Sequence, residues 1–173
     1  MSEHFCYHTP QSKHVNLGFY HGAALPDPQI LLESTGKNMP KEYFNPKDLF
    51  PSLQYGFSQV VTSSGGKLVF ISGQVGWDER QQIVGPGDLR LQTWQAFRNL
   101  ETAIQAAGGT LMDITSLRIY IVEGRMDESS HVREALQAFF PVDRAPATTW
   151  IGVRRLANNE FLIEIEATGV IEP

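Results

Sequence analysis

Two segments, Leu68-Val69-Phe70-Ile71 and Ile119-Tyr120-Ile121-Val122, are apolar at every position that a strand would present to either side. A strand facing water on one side alternates apolar and polar side chains, so a run without alternation belongs to a sheet covered on both faces. The chain has little to cover it with. Leu91, Trp94, Phe97, Leu100 and Ile104 recur at helical spacing behind a capping residue, Asp88, and Gly108-Gly109 stops that helix. A second helix runs from Ser130 to Phe140, with Val132, Leu136 and Phe139 on one face and Pro141 as its terminator. Two helices cover one face. The other face has to meet another subunit, because soluble monomers avoid large exposed apolar patches, and this predicts a closed homo-oligomer.

The remaining elements follow from period and turn chemistry. Tyr55 to Ser63 and Lys67 to Trp77 read as strands joined in a hairpin by Ser63-Ser64-Gly65-Gly66. Ile114 to Glu123 is a third strand, and Ala147 to Leu156 and Leu162 to Ile171 are the last two. The order is ββαβαββ, an α+β fold with both helices on one face of the sheet.

Length and charge narrow the classes. A chain of 173 residues is one domain with room for an appendage, and it buries roughly two thirds of its unfolded surface without staples. The single Cys6 closes no internal disulfide. With 14 basic and 19 acidic residues the net charge is −5, which argues against a nucleic-acid partner. No apolar run reaches the length of a membrane helix and the N-terminus lacks a signal pattern, so the expectation is a cytoplasmic protein with no membrane partner. The net charge divides as −1 for residues 1–40 (2 basic, 3 acidic) and −4 for residues 41–173 (12 basic, 16 acidic).

Residues 1–40 have a different character. His4, His8, His14, His21, Pro10, Pro26, Pro28 and Pro40 punctuate them, and the best local element is a short helix at Ile30 to Thr35 stopped by Gly36. They read as an N-terminal extension of low regular structure before a domain of residues 41–173. The segment from Val15 to Met39, with Asn16-Leu17-Gly18-Phe19, His21-Gly22-Ala23, Leu25-Pro26-Asp27-Pro28 and Gly36-Lys37, resembles the closing segment of a YdhG-like domain of unknown function. The histidine spacing suits no standard zinc framework, and neither a metal nor a cofactor is expected.

Five pieces of the larger domain occur in a telling order: Gly56-Phe57-Ser58-Gln59, Ile71-Ser72-Gly73-Gln74, Asn99-Leu100 with Ala106-Ala107-Gly108, Pro146-Ala147-Thr148, and Ile163-Glu164-Ile165-Glu166-Ala167. Together they resemble the Rid family, also called YjgF or L-PSP endoribonuclease-like. The resemblance implies a chorismate-mutase-like fold, a homotrimer with inward-facing sheets, and three clefts between subunits that hydrolyse enamines and imines such as 2-aminoacrylate. That chemistry asks for an arginine to grip the substrate carboxylate, a carboxyl group to orient or activate water, and an apolar wall.

The sequence departs from that pattern where it matters. The family arginine of a Pro-Ala-Arg motif is Thr148 here, and a neutral hydroxyl forfeits a hydrogen bond to charge worth about 1.5 to 3 kcal/mol. Arg144 is the one plausible stand-in, if its loop folds back; Arg154 shares the strand face of Thr148 but lies roughly 20 Å along it. The family's cleft tyrosine is Phe57. The carboxyl position is kept as Glu164, the candidate catalytic residue; strand parity puts Glu166 on its face, opposite Ile163 and Ile165. Ser72, Gly73, Gln74, Tyr120 and Trp150 complete the candidate substrate-binding set.

Three functions remain open on these residues. One is a trimer that binds, and can hydrolyse, a small carbonyl, enamine or imine metabolite through Glu164 without the usual arginine-dependent deaminase activity. The second is a non-catalytic metabolite sensor or protein-stabilising partner. The third is the endoribonuclease of the family's older name, disfavoured by the acidic composition and the missing cation.

Overall fold

The computed structural model describes residues 41–172; the extension, its short helix at 30–35, its histidines and the segment 15–39 lie outside the described residues. Eight elements follow in order: β1 (Glu42–Phe44), β2 (Val60–Thr62), β3 (Lys67–Val75), α1 (Leu89–Ala106), β4 (Ile114–Val122), α2 (Ser130–Phe139), β5 (Ala147–Val153) and β6 (Ile163–Ile171), with single 3-10 turns between several of them. The α+β class and the expected ββαβαββ order hold, with one short strand, β1, added in front.

A four-stranded sheet runs β3-β6-β4-β5. Strands β4 and β5 are parallel, with α2 as their crossover, and β6 lies antiparallel between β3 and β4. Burial alternates along β6: Ile163, Ile165 and Ala167 are buried, while Glu164, Glu166 and Thr168 between them are half-exposed. The buried set meets Leu117, Ile119 and Ile121 of β4 and the helices' apolar stripes, Leu89, Ala96, Phe97, Leu100 and Ile104 from α1 and Val132, Ala135 and Leu136 from α2. Phe97 stacks on Phe139 at 5.2 Å between ring centroids, joining the two helices. The helices therefore cover one face. On the open face Leu68 is 56% and Phe70 75% exposed.

The Asp88 carboxylate accepts a hydrogen bond from Leu91 N at 2.9 Å, which caps α1. Asp88→Ala is expected to lower stability by about 1 kcal/mol with no change in the cleft described below, a loss that urea unfolding measures. At the other end of α1, Gly108 adopts φ 91°, the left-handed conformation that ends a helix.

The predicted hairpin is the main correction. Gly65 and Gly66 do adopt the positive φ of a tight turn (75° and 84°), but the strand before them is only Val60–Thr62 and pairs with β1, Glu42 opposite Thr62 and Phe44 opposite Val60. Its lead-in goes elsewhere again: Ser58 N donates to Pro146 O at 3.1 Å and Ser58 forms a parallel bridge with Ala147. A turn signal fixes where the chain reverses; the partner of a three-residue strand is set by tertiary contacts. Among the described residues no helix is long and apolar enough to cross a membrane.

Candidate functional site

Glu164 stands on the open face of β6, opposite Tyr120 of β4 on one side and Val75 of β3 on the other. Between Ile71 and Gln74 the β3–β6 ladder slips by a bulge, and Gly73 sits in it. The Glu164 side chain lies across that glycine: a Cβ at position 73 would fall 1.9 Å from Oε1 and 2.6 Å from Cδ. A strand glycine here marks both a bulge and a close approach, and what approaches is a carboxylate.

The two glutamates that share this face differ in partners. Glu166 is bound by Arg118, Nη1 to Oε1 at 2.5 Å, and that hydrogen bond raises the already high arginine pKa further. Glu164 takes part in none of the ion pairs found among the described residues. An unneutralised, half-buried carboxylate is the one of the pair available to a ligand or to water.

Glu164, Gly73 and Gln74 line a cleft of about 770 Å³ that continues past the end of β3 to Trp77, Phe161 and the outer side of α1. Trp77 and Phe161 pack edge to face, 4.7 Å between centroids, as its apolar wall. Among the described residues the end of β3 borders on no further strand, so its carbonyls need other donors. Asn99 supplies them, its Nδ2 donating to Val75 O at 2.9 Å and Trp77 O at 2.8 Å, while its own Oδ1 accepts from Gln95 at 2.9 Å. Gln92, fully buried, donates to Glu160 O and accepts from Leu162 N, both at 2.9 Å, and so fastens the loop before β6 onto α1. Gln92, Gln95, Arg98 and Trp77 were not among the residues that the sequence singled out. The signal of the three on α1, Gln92, Gln95 and Arg98, was a polar stripe at spacing of three to four, which resembles an ordinary solvated face.

The other predicted residues stand apart within one chain. Thr148 stands in β5 opposite Leu117, and Trp150 is opposite Ile119; directly paired residues share a face, so both belong to the helix side, away from Glu164, and Trp150 packs against the core with no partner for its Nε1 among the described residues. The Thr148 hydroxyl donates to Pro146 O at 3.2 Å, the carbonyl that Ser58 N also uses, so Phe57 and Thr148 are brought together at this edge. Phe57 lies edge to face with Phe50 at 6.0 Å. Ser72 is exposed and its carbonyl accepts from Gln74 Nε2 at 3.0 Å.

Arg144 is in a third place, a separate cavity of about 420 Å³ with Lys41, Tyr43, Asp113 and Glu172. There the Lys41 ammonium lies 3.2 Å from Asp113 and 3.8 Å from Glu172. Burial acts to raise the Asp113 pKa, but hydrogen bonds from Thr110 N and Lys41 outweigh it and hold the carboxyl below its ordinary value. Burial raises Tyr43, opposed by the Arg144 charge. Within one chain, then, Gly73, Gln74, Tyr120 and Glu164 come together; Phe57 joins Thr148 at the far edge of the sheet; Arg144 joins neither group. No cluster of three or more His, Cys, Asp or Glu suited to a metal occurs among the described residues.

Comparison with known proteins accords with this architecture. A family model described as Endoribonuclease L-PSP matches residues 50–171. The chain is 30% identical over 107 residues to a 2-iminobutanoate/2-iminopropanoate deaminase of Dermatophagoides farinae, covering 62% of this chain and 80% of that one. It is 31% identical over 111 residues to a RutC family protein of Pyrococcus horikoshii, covering 64% and 83%. Among solved structures, YyfB of Yersinia pestis, a protein of unknown function of the conserved Rid protein family, is 36% identical with a TM-score of 0.73 over 77% of this chain and 100% of its own. A putative endoribonuclease from Thermotoga maritima is 30% identical with a TM-score of 0.56 over 75% and 93%. With the ordered motifs, the bulged glycine beneath Glu164 and a family match over most of the chain, this protein belongs to the endoribonuclease L-PSP family, the Rid or YjgF family.

Proposed function

We propose that this protein binds a small carbonyl, enamine or imine metabolite in the Glu164 cleft, as part of a homotrimer, and hydrolyses imines there at a rate well below that of relatives carrying the cleft arginine. The observation that carries this reading is the Glu164 carboxylate, free of any ion pair among the described residues and laid over Gly73 in a cleft with an apolar wall. In the reaction Glu164 takes a proton from water as the water oxygen bonds to the imine carbon. The C=N electron pair moves to nitrogen, which is protonated, and the carbinolamine collapses to a carbonyl compound and ammonia. The exposed apolar face around Leu68 and Phe70 supports assembly. Because Thr148 and Phe57 lie at the opposite edge of the sheet from β3, a cleft that unites them with Glu164 is built from two copies. The older ribonuclease reading needs a broad cationic footprint to hold a phosphate, whereas the cleft lining sets the single cation Arg98 against Asp78, Glu79 and Glu164.

The test is a gain of function. Thr148→Arg, alone or with Phe57→Tyr, is expected to raise ammonia release from enzymatically generated 2-iminopropanoate at least tenfold, the equivalent of one charged hydrogen bond. A trimeric double variant no faster than the parent overturns the assignment of Thr148 to the cleft. Wild-type turnover as fast as that of relatives with the arginine overturns the argument that its loss matters.

A further inference from the structure

Arg98 lies on the same cleft as Glu164, exposed on the outer side of α1. The turn that carries it is held in place, since its neighbour Asn99 is bonded to Val75 O and Trp77 O, and Val75 is the ladder partner of Glu164. Two other acids share the cleft lining but are engaged: Asp78 Oδ1 accepts from Arg80 N at 3.0 Å and Gln82 N at 2.8 Å, and Glu79 lies 3.9 Å from Arg80. Among the described residues the Arg98 guanidinium makes no ion pair. The cleft lining thus holds one cation, Arg98 on α1, and one carboxylate, Glu164 on β6, that make no ion pair among the described residues, and the Asn99 bonds fasten the α1 turn to the end of β3 that runs beside Glu164. A guanidinium matches a carboxylate with two parallel hydrogen bonds. At about 770 Å³ the space exceeds what a three-carbon acid fills, and Trp77 and Phe161 line its apolar part.

We propose that Arg98 is the specificity-determining residue that fixes the anionic end of the ligand, and that the ligand is a carboxylate with its carbonyl or imine carbon toward Glu164 and an apolar chain of several carbons against Trp77 and Phe161. The proposal rests on the reading of the Glu164 cleft as the ligand site. It places the cation on α1, beside β3 at the far edge of the sheet from β5, where the family pattern has it.

Calorimetric titration of the full chain with 4-methyl-2-oxopentanoate and with its methyl ester tests the assignment. The wild type is expected to prefer the acid. Arg98→Gln is expected to weaken acid binding about 10- to 100-fold while leaving the ester within about twofold, and Arg98→Lys, which keeps the charge without the fork, to recover part of the preference. An unchanged acid-to-ester ratio in Arg98→Gln overturns the role of Arg98 and leaves the cleft reading standing. A wild type that binds neither compound overturns the cleft reading and this inference with it.

Discussion

Phe70→Asp is expected to break the assembly into single chains. Phe70 is 75% exposed and Leu68 two residues earlier 56%, side by side on the face that neither helix covers. If copies meet through these faces, each copy carries the substitution into an interface, and a closed symmetric assembly repeats the penalty at every contact. A carboxylate taken out of water without a partner costs several kcal/mol, on top of the apolar area lost with the ring. The same charge costs nothing comparable in an isolated chain, where position 70 is already wet. Multi-angle light scattering therefore separates the two cases: wild type at a multiple of the 19.4 kDa chain mass, the variant at the chain mass, both with native circular dichroism. Val142→Asp, at a residue 53% exposed and outside the sheet, is the control that should stay assembled. A monomeric wild type, or a Phe70→Asp variant of unchanged mass, overturns assembly through this face.

What the sequence made legible, and what it hid, divides by the range of the interactions involved. The Asp88 cap, the Gly108 stop and the apolar stripes of both helices are local, and period and cap chemistry are enough to find them. So is the opposition of Glu164 to Ile163 and Ile165. The partner of Val60–Thr62 is not local: three residues carry too little pattern to choose between β1 and β3, and the glycine turn suits either outcome. Parity along β5 was readable, but whether Thr148 shares a face with Glu164 depends on the register against β4, where Leu117 stands opposite Thr148 and puts it on the other face. The same limit hid Asn99 and Gln92 as cleft-forming residues. A polar side chain on an amphipathic helix is ordinarily solvated, and only the bonds to Val75, Trp77, Glu160 and Leu162 distinguish these two.

Gly73→Ala is expected to cut turnover about 100-fold while leaving the fold almost as stable as the parent. An added Cβ meets Glu164 Oε1 at 1.9 Å, Cδ at 2.6 Å and Cγ at 2.7 Å, so the carboxylate has to leave its place. What it meets is the far end of a flexible side chain, which swings aside at little cost, and the backbone at position 73 is not in the left-handed region. Stability should therefore change by less than about 1 kcal/mol. Activity should fall about 100-fold, because displacing a reacting group by about an ångström costs that much. Gly76→Ala supplies the contrast. Its Cβ would lie 2.7 Å from Gln92 Cβ and 2.9 Å from Gln92 Cα, atoms fixed in α1, so nothing nearby yields and the loss should appear as about 1 to 3 kcal/mol of stability. Glu164→Gln completes the set: it keeps the shape over Gly73 and removes the base, so turnover should fall while ligand-induced thermal stabilisation persists. If Gly73→Ala keeps full turnover with the fold intact, the carboxylate over Gly73 is not the reacting group, and Glu164 loses its place in the mechanism.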